Sequence, residues 1–313
     1  MVVPTGIAIR RNHFYKVPQW QRGAPGFVGG FSGDPFVVKN HFEIKNGSRV
    51  LVEANLFEYS WAGFSQTGYS ILLGPRNAYN KDDKRGNLCS VCEGTDITVR
   101  YNKISHVGAG LIVAALVVDK LGAHAAGRVS IHDVVVDDID TARYKGAGNL
   151  FLLMSGWPTR VLNNVSFRHV TGFPDPNDHL LIIGNSLNDP QMSAFTFTDN
   201  LVVVPQFPVW ASGKDRDCAS SNVPVTVMNA CFTTFHFGHN VLAATPKPFP
   251  PEKWPSGNMF PNTIGDIGFV DFNNGNGGDY HLHANSPYKG KASDGRDPGA
   301  DIDAVHAALQ GVE

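Results

Sequence analysis

The sequence predicts an all-β fold: a parallel β-helix (solenoid) of about seven rungs with a short C-terminal helical tail. The first observation is the stretch 97–115, ITVRYNKISHVGAGLIVAA. In it Ile97 and Val99 alternate with Thr98 and Arg100, Asn102 turns the chain, Ile104 adds a further inward side chain, and residues 111–115 form a third short apolar strand. The second observation is recurrence. The same opening returns as IAIRRNHF from Ile7, VLVEANLF from Val50, VSIHDVVV from Val129, VSFRHVTG from Val165, FTFTDNLV from Phe195 and FHFGHNVL from Phe235. Start-to-start spacings are 43, 47, 32, 36, 30 and 40 residues, within the periods of about 20–50 that mark repeat architectures. The third is composition: 33 Gly, 20 Pro and 17% charged residues describe a turn-rich β protein. Spacings that vary but never fall below thirty imply a fixed rung with corner loops of changing length.

The 313 residues would ordinarily suggest two domains, but the repeat argues for one, with rungs over 6–266 and a capping tail over 267–313. Residues 6–16 open the first rung and lead into an aromatic, glycine-rich insertion, VPQWQRGAPGFVGGFSGDP, before a third strand over 41–46. The second rung carries Asn55, Glu58, Tyr59 and Trp61, a strand over 69–73, and a charged corner loop, 74–94, with Cys89 and Cys92. The third is the stretch quoted first, followed by a loop with His124. The fourth runs from Val129 through Asp137, Asp138, Arg143 and Lys145 to a strand over 150–154. The fifth has His169 near the bend and a strand over 180–183; the sixth has Asn200 and a loop with Trp210 and charges at 214–217. The seventh has Asn240 and ends in TPKPFPPEKWPSG, whose prolines cannot continue a central ladder. Residues 301–309 read as a short helix with Asp301 or Asp303 near its N-cap. This tail is expected to cover the open end. No capping helix precedes Ile7, so the N-terminal cap that solenoids use is expected to be missing, and no signal peptide is read before the first rung.

These rungs resemble those of right-handed parallel β-helix proteins, the pectate-lyase-like superfamily of bacterial secreted type, in which bend asparagines of successive coils stack as a ladder. Asn12, Asn55, Asn102, Asn200 and Asn240 match that position, and the fourth and fifth rungs depart from it. The tail is similar to the closing segment of many such proteins at Asp279-Tyr280-His281-Leu282, Ser286-Pro287, Asp294-Gly295 and 297–300. The resemblance covers nearly the whole chain and implies a right-handed coil and a secreted or periplasmic parent. The superfamily includes polysaccharide lyases, glycoside hydrolases, epimerases, esterases and non-catalytic adhesins, so fold does not assign activity and no catalytic residue is carried over.

A formal net charge of −2 gives no reason to expect a nucleic-acid partner, and no apolar run approaches the roughly 18 residues of a spanning helix. The expected partner is a polysaccharide and the expected state a monomer. Cys89 with Cys92, and Cys218 with Cys231, form an even set that permits two disulfides in an oxidising compartment. A zinc site is the weaker alternative, because the second pair does not repeat the first spacing.

Stacking makes residues at equal offsets neighbours at roughly 4.8 Å. The outward row of the first strand reads Arg10, Glu53, Arg100, His132, Arg168, Thr198, Gly238. Its cations are suited to a polyanionic sugar, since a guanidinium pairs two-point with a carboxylate; the alternative is a ladder neutralised internally by Glu53. A second row, just past the bend, reads Lys16, Tyr59, His106, Asp138, with Tyr15, Glu58, Ser105, Asp137 beside it. His106 next to Asp138 has the make-up of an oriented general base, with Tyr59 as a second proton-transfer group or sugar platform and Arg100 or Lys16 as the cation for an enolate-like charge. A glycosidase would instead pair Glu58 with Asp137 or Asp138. Trp61 and the other loop aromatics Trp20, Phe27, Phe31, Trp157 and Trp210 suit a carbohydrate cleft or the sealing of corners. His281, His283 and His236 are zinc candidates, and the cofactor such a site implies is a divalent cation, calcium or zinc. The leading expectation is therefore a lyase or glycoside hydrolase acting on an acidic polysaccharide. The alternatives are a non-catalytic polysaccharide-binding protein and a metal-dependent hydrolase.

Overall fold

Repeats related by equal offsets do pair side by side. In the computed structural model, residues 2–36, 38–63, 66–76, 89–115, 117–118, 121–122, 124–155, 161–185, 189–211 and 218–312 are described. Trp157, the charges at 214–217 and most of the corner loop after Gly74 lie outside them. Ile7 faces Val50, Val50 faces Ile97, Ile97 faces Val129, Val129 faces Val165, Val165 faces Phe195 and Phe195 faces Phe235, all parallel.

The expectation of an all-β, right-handed parallel β-helix of about seven rungs with a short helical tail is corrected by how these strands assemble. They form two parallel sheets, one of twelve strands curled like a half-barrel and one of six, with helices set between the strands, an α/β-type arrangement. The larger sheet joins the opening strands, Thr5–Arg10 through Phe235–Gly238, to strands past the bend such as Leu56–Ser60 and Lys103–Val107. The joint is made by Ala125–Val136 and Asn163–Gly172, which run straight through the bend. The sequence explains why. Those are the two repeats with Val134 and Val170 in place of the bend asparagine. Elsewhere an asparagine side chain takes up the bend's own backbone groups and interrupts the strand: Asn102 Nδ2 donates to the carbonyls of Val52 and Arg100. The smaller sheet has Phe42–Ile44, Tyr69–Leu73, Ala109–Ala114, Phe151–Met154, His179–Gly184 and Phe207–Trp210, with no member from the proline-rich seventh repeat. Among the described residues are three α-helices: α1 (Thr141–Tyr144), α2 (Pro224–Cys231) and α3 (Ile302–Leu309). Among the described residues no helix is long and apolar enough to cross a membrane.

Between the sheets lies one apolar core, and its aromatics stack because equal offsets repeat. Phe14 on Phe57 and Phe197 on Phe237 are stacked at ring-centroid distances of 4.7 and 4.8 Å. The asparagine ladder forms in two runs. Asn12 hydrogen bonds to Asn55 and Asn55 to Asn102; Asn200 bonds to Asn240, which bonds on to Asn258, a member without a repeat opening before it. Asn102→Ala is expected to cost about 2 kcal/mol, because it takes the acceptor from the buried Asn55 backbone N–H, one of three acceptors from the Asn55 side-chain amide, and a donor from two carbonyls. Denaturant unfolding measures this, and a loss under about 1 kcal/mol would show the ladder to be ornamental to stability.

The tail corrects a second expectation. It does not close an end of the stack but lies along its flank, from the seventh repeat back to the first. A hairpin of Phe269–Asp271 and Asp279–Leu282 and the helix α3, with Asp301 as N-cap, pack on Val135, Leu201, Val241 and Phe173. Several of the polar contacts fall on bend residues that hold positive φ, Arg11, Asp133, His169 and Asp199, whose side chains project from the turn. Ser293 donates to Asp199, His169 meets Asp294 and the Gly299 carbonyl, Arg296 and the Asp301 N–H reach Asp133, and Arg11 donates to the carbonyls of Ala308 and Gln310.

Asp294 makes this latch sensitive to acid. Burial pushes its carboxyl up, but hydrogen bonds from the Arg296 side chain and backbone, with the charge of His169, prevail and hold it at about 2. A depressed acid contributes stability above its unfolded value of about 4 and loses it as pH falls through the folded value. Hydrogen exchange of residues 293–301 is therefore expected to accelerate as pH falls from about 4 towards 2, more in the wild type than in Asp294→Asn; identical profiles would remove Asp294 from the latch.

Candidate active site

The row just past the bend, Lys16, Tyr59, His106 and Asp138, is where the repeat concentrates chemistry. Register places it: Ser105 pairs with Glu58 and Ile104 with Val136, so His106 lies between Tyr59 and Asp138. All three take positive φ, of 65°, 58° and 50°, at a corner between the two sheets. His106 Nδ1 lies 2.6 Å from Asp138 Oδ2, and its ring stacks on Tyr59 with centroids 4.6 Å apart. Asp138 is nearly buried, and Tyr144 Oη donates to it at 3.2 Å and Arg143 by a short contact. An acceptor so surrounded by donors directs the Nδ1 proton of His106 to itself, which leaves Nε2 as the basic nitrogen. Nε2 is 3.7 Å from Glu58 Oε1, and the other Glu58 oxygen accepts from His13 Nε2 at 2.8 Å. An imidazolium formed at His106 is thus flanked by two carboxylates. Burial first, then the charges of Glu58 and of its neighbours, push the Tyr59 phenol up, so its hydroxyl stays protonated.

The supporting shell was not legible as such. Arg143 and Tyr144 reach Asp138 because α1 starts on Asp140, whose side chain accepts from the Arg143 N–H at 2.8 Å. The signal available was Asp140 ahead of Thr-Ala-Arg, an N-cap pattern. Gly146 lets the exit of α1 lie against the corner after His106: a Cβ there would sit 1.9 Å from the Gly108 carbonyl oxygen. His13, in the first repeat, is brought to Glu58 by the parallel pairing of His13–Tyr15 with Leu56–Ser60.

Other sequence-derived candidates are placed differently. Asp137 is fully buried and accepts from Ser105, from Tyr280 Oη at 2.9 Å and from the Gly277 N–H at 3.0 Å, so it pins the tail and cannot partner Glu58 in a glycosidase pair. Lys16 Nζ is buried and has no hydrogen-bond partner among the described residues, and burial lowers its ammonium to about 8. The first-strand stripe is self-paired. Arg10 and Arg100 both bind Glu53, at 2.8 and 2.6 Å, His132 binds Asp133, and Arg168 lies 3.6 Å from Asp199. Trp61 is buried among Val38 and Tyr144, packed with Trp20 and Tyr59. His281 bonds to Asp279 and Asp303, whereas His283 and His236 are exposed; no three His, Cys, Asp or Glu side chains among the described residues converge on a metal position. The cysteines pair as Cys89–Cys92 and Cys218–Cys231.

No protein-family model matches the chain, and no curated protein is significantly similar to it.

Proposed function

We propose that the protein is a polysaccharide lyase that cleaves an acidic, uronate-containing polymer by β-elimination. The observation that carries this reading is the His106–Asp138 pair at 2.6 Å with Tyr59 stacked against the imidazole. In the reaction His106 Nε2 takes the C5 proton of a uronate, and that electron pair becomes the C4=C5 double bond as the C4–O bond breaks. The Tyr59 hydroxyl gives its proton to the departing oxygen, and the imidazolium returns the abstracted proton to Tyr59. Arg143, half exposed beside Asp138, is the nearby cation for the charge that develops on the uronate carboxylate. A lyase fits better than a hydrolase because Asp137 is committed to the tail and Asp138 to Arg143, Tyr144 and His106. The two disulfides are compatible with an extracellular setting.

The test is incubation with uronate-containing and neutral polysaccharides while ultraviolet absorbance of unsaturated uronates and new reducing ends are followed together. Ultraviolet product is expected from the uronate polymers. Reducing ends without absorbance would replace the reading with hydrolysis, and retention on a polysaccharide gel without new ends would replace it with binding.

A further inference from the structure

Beside the His106 row, the aromatic insertion and residues 61–63 enclose a cleft of about 620 Å³, lined by Gln21, Arg22, Phe36, Trp61 and Lys145 among others. Two features make it more than a gap between loops. Among the described residues its rim holds two exposed cations, Arg22 and Lys145, from segments far apart in sequence, against one acid, Asp34. Phe36, tilted against Trp20 at 5.2 Å, leaves part of its ring exposed as an apolar wall. The cleft is also coupled to the candidate base. Gln21 Nε2 donates to the Arg143 carbonyl at 2.5 Å, and the Arg143 side chain holds Asp138, which orients His106. Lys145 is the left-handed cap residue of the same short helix, α1.

We infer that this cleft is a binding subsite for an anionic sugar residue, its carboxylate held by Arg22 and Lys145 and its ring against Phe36, next to the bond cleaved at His106. A guanidinium offers the two-point geometry a carboxylate needs, and an aromatic wall with few polar groups is the usual make-up of a sugar-sized cleft. The inference deepens the lyase reading and rests on it for the position of the cleaved bond.

Binding is measured apart from turnover, by calorimetry on the His106→Ala protein with hexamers of galacturonate, mannuronate and glucuronate and with cellohexaose as the neutral control. Tyr59→Phe is the alternative background if His106→Ala does not fold. At least one uronate hexamer is expected to bind, cellohexaose at least tenfold more weakly, and Arg22→Gln with Lys145→Gln is expected to weaken the uronate at least tenfold with an unchanged melting temperature. Equal binding of cellohexaose, unchanged binding in the double variant, or no binding of any uronate hexamer would each overturn the subsite. Uronate binding that depends on both cations, in a protein that shows no turnover, keeps the subsite and removes the reaction; turnover that depends on His106 with binding indifferent to the cations does the reverse.

Discussion

His106→Ala is expected to lower kcat on a uronate polymer by about 10²- to 10⁴-fold, the span that a positioned acid–base group commonly supplies. Its side chain is about a fifth exposed and stacks on Tyr59 without filling the core, so the melting transition should persist. Removing the imidazole leaves Asp138 with Arg143 and Tyr144, two donors that keep the buried carboxylate satisfied. Tyr59→Phe deletes only the hydroxyl and is expected to lower kcat with little change in KM, the signature of an interaction made in the transition state. Wild-type rates in both variants would eliminate this row as the reaction centre.

Asp137→Ala is expected to be the most destabilising single change, at about 3–5 kcal/mol. The substitution leaves the Ser105 and Tyr280 hydroxyls and the Gly277 N–H without their shared acceptor, and Lys103 Nζ, 3.6 Å away, without its countercharge. Since Gly277 and Tyr280 belong to the tail, limited proteolysis should cut within residues 272–300 before the repeats unfold. Denaturant midpoints and cleavage sites read the two effects separately. A variant as stable as wild type but with lowered kcat would return Asp137 to the reaction; full activity with a loosened tail would fix its role as a clamp.

The contrast between Asp137 and Asp138 shows how far the sequence carried. Both were legible as acids beside Ser105 and His106, because register follows from equal offsets and a strand points successive side chains to opposite faces. The 2.6 Å contact of His106 with Asp138 was readable in that way, one repeat against the next. What separates the two acids comes from elsewhere: Tyr280 stands 143 residues beyond Asp137, and nothing near Asp137 announces it. The first-strand stripe shows the same limit. Arg10, Glu53 and Arg100 were rightly aligned, but whether the cations face a ligand or one another depends on side-chain choice within the row, and they share Glu53.

By itself the sequence determined the repeat unit, the parallel register, the asparagine runs and the capped helix α3, since each rests on local periodicity or on a residue's preference for a turn. Only the tertiary structure decided the joining of two strand rows into one curled sheet at Val134 and Val170, the course of the tail along the flank, and the burial of Asp137. Those features depend on which distant segment covers a given surface, and that is settled by the burial and hydrogen-bond satisfaction of the whole chain at once.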